Sequence, residues 1–220
     1  MEKVVNLILE FASIPVLGCA IYAGWVYKRL SKELRIIAWF ILLSGAIELS
    51  STLLWYAKIN NFPLLHLYVL AGFLILLLFY KAILRGFISR KVFISIGVSF
   101  TIYSIINSVF IQTVYSFNSH ALVVQAVLVI ILSLSTYILL LNDIVRKQRL
   151  ELISSLNWIN SGLFIYYTSS LLIFYFGDFL TKNFSATINQ YTWAFHTLFS
   201  TVMYICFFIG LWKRPRKLTS

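Results

Sequence analysis

The sequence predicts an all-α integral membrane protein, a bundle of seven transmembrane helices with the N-terminus outside and the C-terminus in the cytoplasm. Three observations carry that prediction. The composition is 60% hydrophobic and 11% charged, with a mean hydropathy of +0.89, whereas a soluble domain is about 45–50% apolar and about 25% charged. Seven apolar segments each meet the roughly 20 residues a helix needs to cross a hydrocarbon core about 30 Å thick. Lys and Arg gather at alternate junctions between those segments. One domain suffices for 220 residues arranged this way.

The segments run over about 4–27, 34–57, 63–84, 92–115, 120–142, 152–177 and 188–212, bounds set by the length a span requires. Continuous apolar runs such as VLAGFLILLLFY (69–80) lack the alternation of barrel strands. An open sheet would leave its backbone unsatisfied in lipid. In the first segment, VLGC (16–19) has the form of a lipoprotein cleavage box ending at Cys19. Glu10 breaks what would be the apolar core of a leader, and the residues after Cys19 stay apolar, so an ordinary first helix is expected. The second segment contains SGAIELSSTLLW (44–55), in which Glu48 has no basic neighbour in sequence. The third opens with Pro63, suited to a first helical turn, and His66 follows. The fourth carries Asn107 and Gln112, and the fifth carries His120 and Gln125. The sixth holds Asn157, Asn160, Ser161 and Gly162, the glycine permitting close helix approach. The seventh carries Gln190, Trp193 and His196.

Charge sets the expected orientation. Lys28, Arg29, Lys32 and Arg35 follow the first segment, and Lys81, Arg85, Arg90 and Lys91 follow the third. Arg146, Lys147 and Arg149 follow the fifth, and Lys213, Arg214, Arg216 and Lys217 form the tail. Fifteen of the 18 Lys and Arg therefore fall on one side; Lys3, Lys58 and Lys182 fall on the other. The positive-inside rule makes the basic side cytoplasmic. The net charge of +11 follows from the same loops. It fits attraction to an anionic leaflet rather than nucleic-acid binding, since no aromatic platform is interleaved with the charges. Cys19 and Cys206 form neither a disulfide framework nor a metal-ligand spacing, and are read as small apolar residues.

The polar residues recur at helical spacing. Asn6, Glu10, Ser13 and Leu17 share one stripe, Ser44, Glu48, Ser51 and Trp55 a second, and Trp193, His196, Ser200 and Met203 a third. A fourth could join Ser104, Asn107 or Ser108, Ile111 and Tyr115. Small hydroxyl residues in such stripes are expected to serve packing. Ionisable residues at membrane depth are functional candidates. The expectation is an outward-opening polar cavity among the first, second, third and seventh helices, with His196 as the partner of Glu48. The candidate ligand-binding or polar-core residues are Glu10, Glu48, His66, Asn107, Gln125, Asn160, Trp193 and His196.

Three seven-helix families are compared on their motifs. YTWAFHTLFSTVMYICFFIGLW (191–212) has no lysine to hold retinal, and neither a DRY-like nor an NPxxY-like segment marks a G-protein-coupled receptor. The intramembrane zinc hydrolases of the adiponectin-receptor and alkaline-ceramidase type carry an HxxxH pair, but here Ser200 stands four residues after His196. NNFPLLHLY (60–68), LNWINSGLFIYY (156–167) and FFIGLWKRP (207–215) resemble segments of small, largely uncharacterised seven-helix proteins of Bacteroidetes-type bacteria. Similar segments serve as membrane input modules ahead of signalling domains in some of those proteins. The resemblance implies a bacterial inner (plasma) membrane and a sensing role, and draws notice to His66, Tyr68, Trp158, Asn160, Ser161 and Gly162. The function expected is that of a non-enzymatic receptor- or sensor-like protein binding a small or lipid-like ligand, with no cofactor. Its partners would be the bilayer, that ligand and a cytoplasmic signalling protein docked on the basic face, the tail KRPRKLTS being too short for an effector. The alternatives are a proton-coupled small-molecule transporter and a zinc-dependent intramembrane hydrolase, for which His66, His120 and His196 are spread over three helices and a zinc site would involve Glu48.

Overall fold

The computed structural model describes residues 2–142 and 150–214, and among them there is no strand. Arg146, Lys147, Arg149, Arg216 and Lys217 lie outside the described residues, as do the side chains of Lys3 and Asn6. Among the described residues, seven helices are long and apolar enough to cross a membrane.

The first span is made of two pieces, α1 (Glu2–Glu10) and α2 (Ser13–Val26), and ends in a 3-10 turn over Tyr27–Arg29. The continuous helix expected over 4–27 is thus interrupted at Phe11 and Ala12. Pro15 is the physical reason: it lacks the N–H that would bond the Phe11 carbonyl, and its ring crowds that carbonyl. The Phe11 carbonyl accepts instead from Ile14 N at 3.1 Å.

α3 (Lys32–Tyr56) begins at Ser31, whose hydroxyl accepts from Leu34 N, and α4 (Phe62–Ile83) has its proline in the first turn. α5 (Arg90–Ile106) runs into a π-helical turn over Asn107–Ile111 and stops there, short of the 115 expected. α6 spans Ser119–Leu141 and α7 spans Leu150–Asn183. α8 (Ala186–Trp212) is capped by the Ser185 hydroxyl, which accepts from Ile188 N. α7 is longer at both ends than the sixth segment read from sequence. At 34 residues it reaches about 51 Å, beyond the hydrocarbon thickness.

α2, α3, α4, α6, α7 and α8 each pack on the next, and α8 closes back on α2. α5 packs on α4 from outside this ring, and Ile94, Val98, Ile102 and Ile105 are exposed along it. The core is aromatic and aliphatic, with Phe40, Phe73, Phe79, Tyr80 and Phe207 fully buried. Small residues let the helices meet. A Cβ on Gly162 would lie 2.8 Å from Cys206 Cβ, and one on Gly210 would lie 3.0 Å from the Ser155 carbonyl oxygen. The α7–α8 pair is therefore backbone-close at both places, as the sequence suggests for Gly162. Gly162→Leu should destabilise the fold by about 1–3 kcal/mol through overpacking, read as a lower thermal unfolding midpoint in detergent.

The turns at one end of the bundle carry most of the basic residues, while Lys58 and Lys182 lie at the other. Arg35 donates to the Lys28 carbonyl, and Arg214 donates to the Tyr22 hydroxyl at 2.9 Å. At the opposite end Asn60 donates to the Tyr115 carbonyl and Asp178 N donates to the Ser119 hydroxyl. Lys182 there pairs with Asp178 at 2.7 Å, the one ion pair among the described residues.

Candidate binding cavity

A cavity of about 1040 Å³ opens in the half of the bundle away from the basic turns. The break after α1 aims Glu10 and Ser13 into it, and α3 contributes Ser44, Glu48, Ser51 and Trp55. α8 contributes Trp193, His196, Ser200 and Met203. The second and third polar stripes of the sequence thus line one cavity in full. α4 adds Tyr68 and α7 adds Tyr166.

Within the cavity Ser13 donates its hydroxyl hydrogen to Glu48 Oε1. His196 Nε2 shares a hydrogen bond with the Tyr166 hydroxyl at 3.1 Å, and its ring sits edge-on to Tyr166, Phe174 and Trp193. The pairing of Glu48 with His196 expected from sequence is therefore absent among the described residues; each has a hydroxyl partner instead. The reason lies in the packing. α2 packs on both α3 and α8, so Ser13 at its start meets Glu48, while α7, packed on α8, presents Tyr166 to His196. At the floor, Ser44 bonds the Tyr68 hydroxyl at 3.0 Å. Glu10 is exposed and Glu48 half-buried, and neither forms an ion pair among the described residues.

The remaining candidates lie elsewhere and act as ties between helices. His66 is buried, with Nε2 3.1 Å from the Ser116 carbonyl and Nδ1 2.8 Å from the Ser108 hydroxyl. A carbonyl only accepts, so Nε2 carries a proton; the Ser108 hydroxyl beside Nδ1 also lies 2.9 Å from the Ser104 carbonyl, to which it donates. Asn107 is fully buried and donates to Gln112 Oε1 and Asn118 Oδ1. Gln112 Oε1 also accepts from His120 N. This amide network ends the fourth span early, because the chain turns back to satisfy it. Gln125 donates to the Tyr167 hydroxyl at 2.8 Å, joining α6 to α7. Asn160 accepts from Tyr80 and donates to the Ser133 carbonyl, while Tyr80 and Ser133 share a 2.6 Å bond, so α4, α6 and α7 are tied at one point.

Sequence reasoning did not single out Tyr204, which lines the cavity beside Tyr68. Its position four residues after Ser200, on the same helical face, is the signal that could have found it. Among the described residues no three His, Cys, Asp or Glu side chains gather as a metal site, and both nitrogens of His66 are engaged. His66, His120 and His196 do not come together as one such group among the described residues. No protein-family model, curated protein or solved structure matches the chain.

Proposed function

We propose that the chain is a multi-pass membrane receptor whose cavity takes an amphiphile with a positively charged head and an apolar body. One observation carries this reading. Glu10 and Glu48 line the cavity with no Lys or Arg beside them among the described residues, and aromatic rings make up much of the rest of the wall. A protein of net charge +11 has collected two of its seven acidic residues there. A cation satisfies a carboxylate at membrane depth and is attracted to the faces of Trp and Tyr. An anionic amphiphile would meet like charge and no donor stronger than a hydroxyl, an indole or an imidazole.

The positive-inside rule supports an orientation with the basic turns in the cytoplasm and the cavity on the outer side. A bacterial inner membrane, implied by the resemblance, and a cytoplasmic signalling partner docked on the basic face complete the reading. Binding in neutral maltoside micelles tests it, using hexyltrimethylammonium, hexanoate and hexanol as chain-matched probes. The ammonium compound should bind saturably and at least about tenfold more tightly than the other two. Equal affinity for all three, or a preference for hexanoate, would contradict the reading.

A transporter is the second reading, favoured by the break at Phe11 and Ala12 beside the cavity, because interrupted helices at the binding site are a mark of secondary transporters. Uptake of labelled alkylammonium into proteoliposomes decides between them. A receptor binds without flux, whereas a transporter shows uptake that Glu48→Gln abolishes.

A further inference from the structure

The lipid-facing side of the molecule carries a second concavity, distinct from the cavity above. It is a groove of about 390 Å³ between α4 and α5. Its walls are apolar, formed by Leu74, Leu77 and Leu78 on one side and by Ile94, Val98 and Ile102 on the other. Gly97 forms part of the wall, and a Cβ there would lie 3.1 Å from Leu77 Cδ2. Thr101 turns its hydroxyl onto the Gly97 carbonyl, so it offers the groove no free donor. The single charged lining residue is Lys81, near the end of α4 that leads into the basic turn.

Charge accumulates at that end without compensation. Arg85, Arg90 and Lys91 are exposed in and beside the turn. Between Glu48 and Asp143 the sequence contains no Asp or Glu. None of these four cations takes part in an ion pair among the described residues. α5, a helix of 17 residues, starts in the same turn with no acidic residue in its first turn and no side-chain cap from Ser89. Its free N–H groups and dipole add to a field that favours an anion.

We infer that this groove seats an acyl chain of an anionic glycerophospholipid, with the phosphate held by Lys81 and the basic turn. The apolar walls do not by themselves discriminate, because an acyl chain gains little on leaving bilayer for groove. Selectivity comes from the headgroup, whose net negative charge meets four cations and a helix N-terminus. A zwitterionic headgroup brings its own ammonium into the same field. Basic pockets between spans at the cytoplasmic surface are a recognised form of lipid site.

The test is competitive lipid retention, measured by native mass spectrometry after exchange into mixed micelles of phosphatidylglycerol and phosphatidylcholine with identical chains. The wild type should retain phosphatidylglycerol with about tenfold preference. Lys81→Gln should reduce that preference at least about threefold. Gly97→Leu, which fills the groove and leaves every charge in place, should abolish retention while the thermal midpoint confirms folding. Equal retention of the two lipids, or no retention of either, would overturn the inference. Selective retention that survives Gly97→Leu would also overturn it, since the headgroup would then be held by the turn alone.

Discussion

Glu48→Gln is expected to weaken binding of hexyltrimethylammonium by about tenfold, because a quaternary ammonium has no N–H to donate and loses only the charge attraction of one of two carboxylates. The fold should survive the change. Glutamine keeps an oxygen that accepts from Ser13, so the contact between α2 and α3 persists while the charge goes. The unfolding midpoint should move by less than about 3 °C, corresponding to less than about 1 kcal/mol for a chain of this size. Titration of hexyltrimethylammonium against both proteins, with a thermal melt of each, checks the two halves of the prediction together. Unchanged affinity with an unchanged melt would reduce Glu48 to a residue that fixes helix register.

Asn160→Leu should do the reverse. Asn160 is fully buried and serves Tyr80 and the Ser133 carbonyl at once, tying three helices. Leucine has similar bulk but satisfies neither partner. The cost should be about 1–3 kcal/mol, from a carbonyl and part of a phenol left without a partner. That is a fall of about 3–10 °C in the unfolding midpoint. Alkylammonium affinity at low temperature should be unaltered, because Asn160 does not line the cavity. Thermal melts by circular dichroism in detergent, alongside the binding titration, measure both. The two variants separate the polar residues that bind from those that hold the bundle together.

That separation marks the limit of what the sequence makes legible. Composition and segment length expose the spans, since bilayer thickness dictates them. The stripes Ser44–Trp55 and Trp193–Met203 are legible too, because a 3.6-residue period places them on one face and lipid disfavours a carboxylate. Partner choice is not legible. Glu48 and His196 look complementary by depth, but the helix order around the ring gives Glu48 to Ser13 and His196 to Tyr166. His66 and Asn160 look as functional as His196 does, and only their bonded partners reveal them as ties. The break after Glu10 was readable from Pro15, which removes one backbone donor and crowds a carbonyl four residues back. The π-turn at Asn107 was not, because it depends on Gln112 and Asn118 closing an amide network across a loop.

The central claim is that the cavity between α1–α2, α3, α4 and α8 holds a cationic amphiphile. Photolabelling of the wild-type protein with a diazirine-bearing alkyltrimethylammonium, followed by peptide mass mapping, tests that claim most directly. Labels are expected on cavity residues such as Tyr68, Trp193 and Met203, suppressed by excess unlabelled hexyltrimethylammonium and left in place by hexanoate. Labels confined to the outer face of α5, indifferent to either competitor, would contradict it.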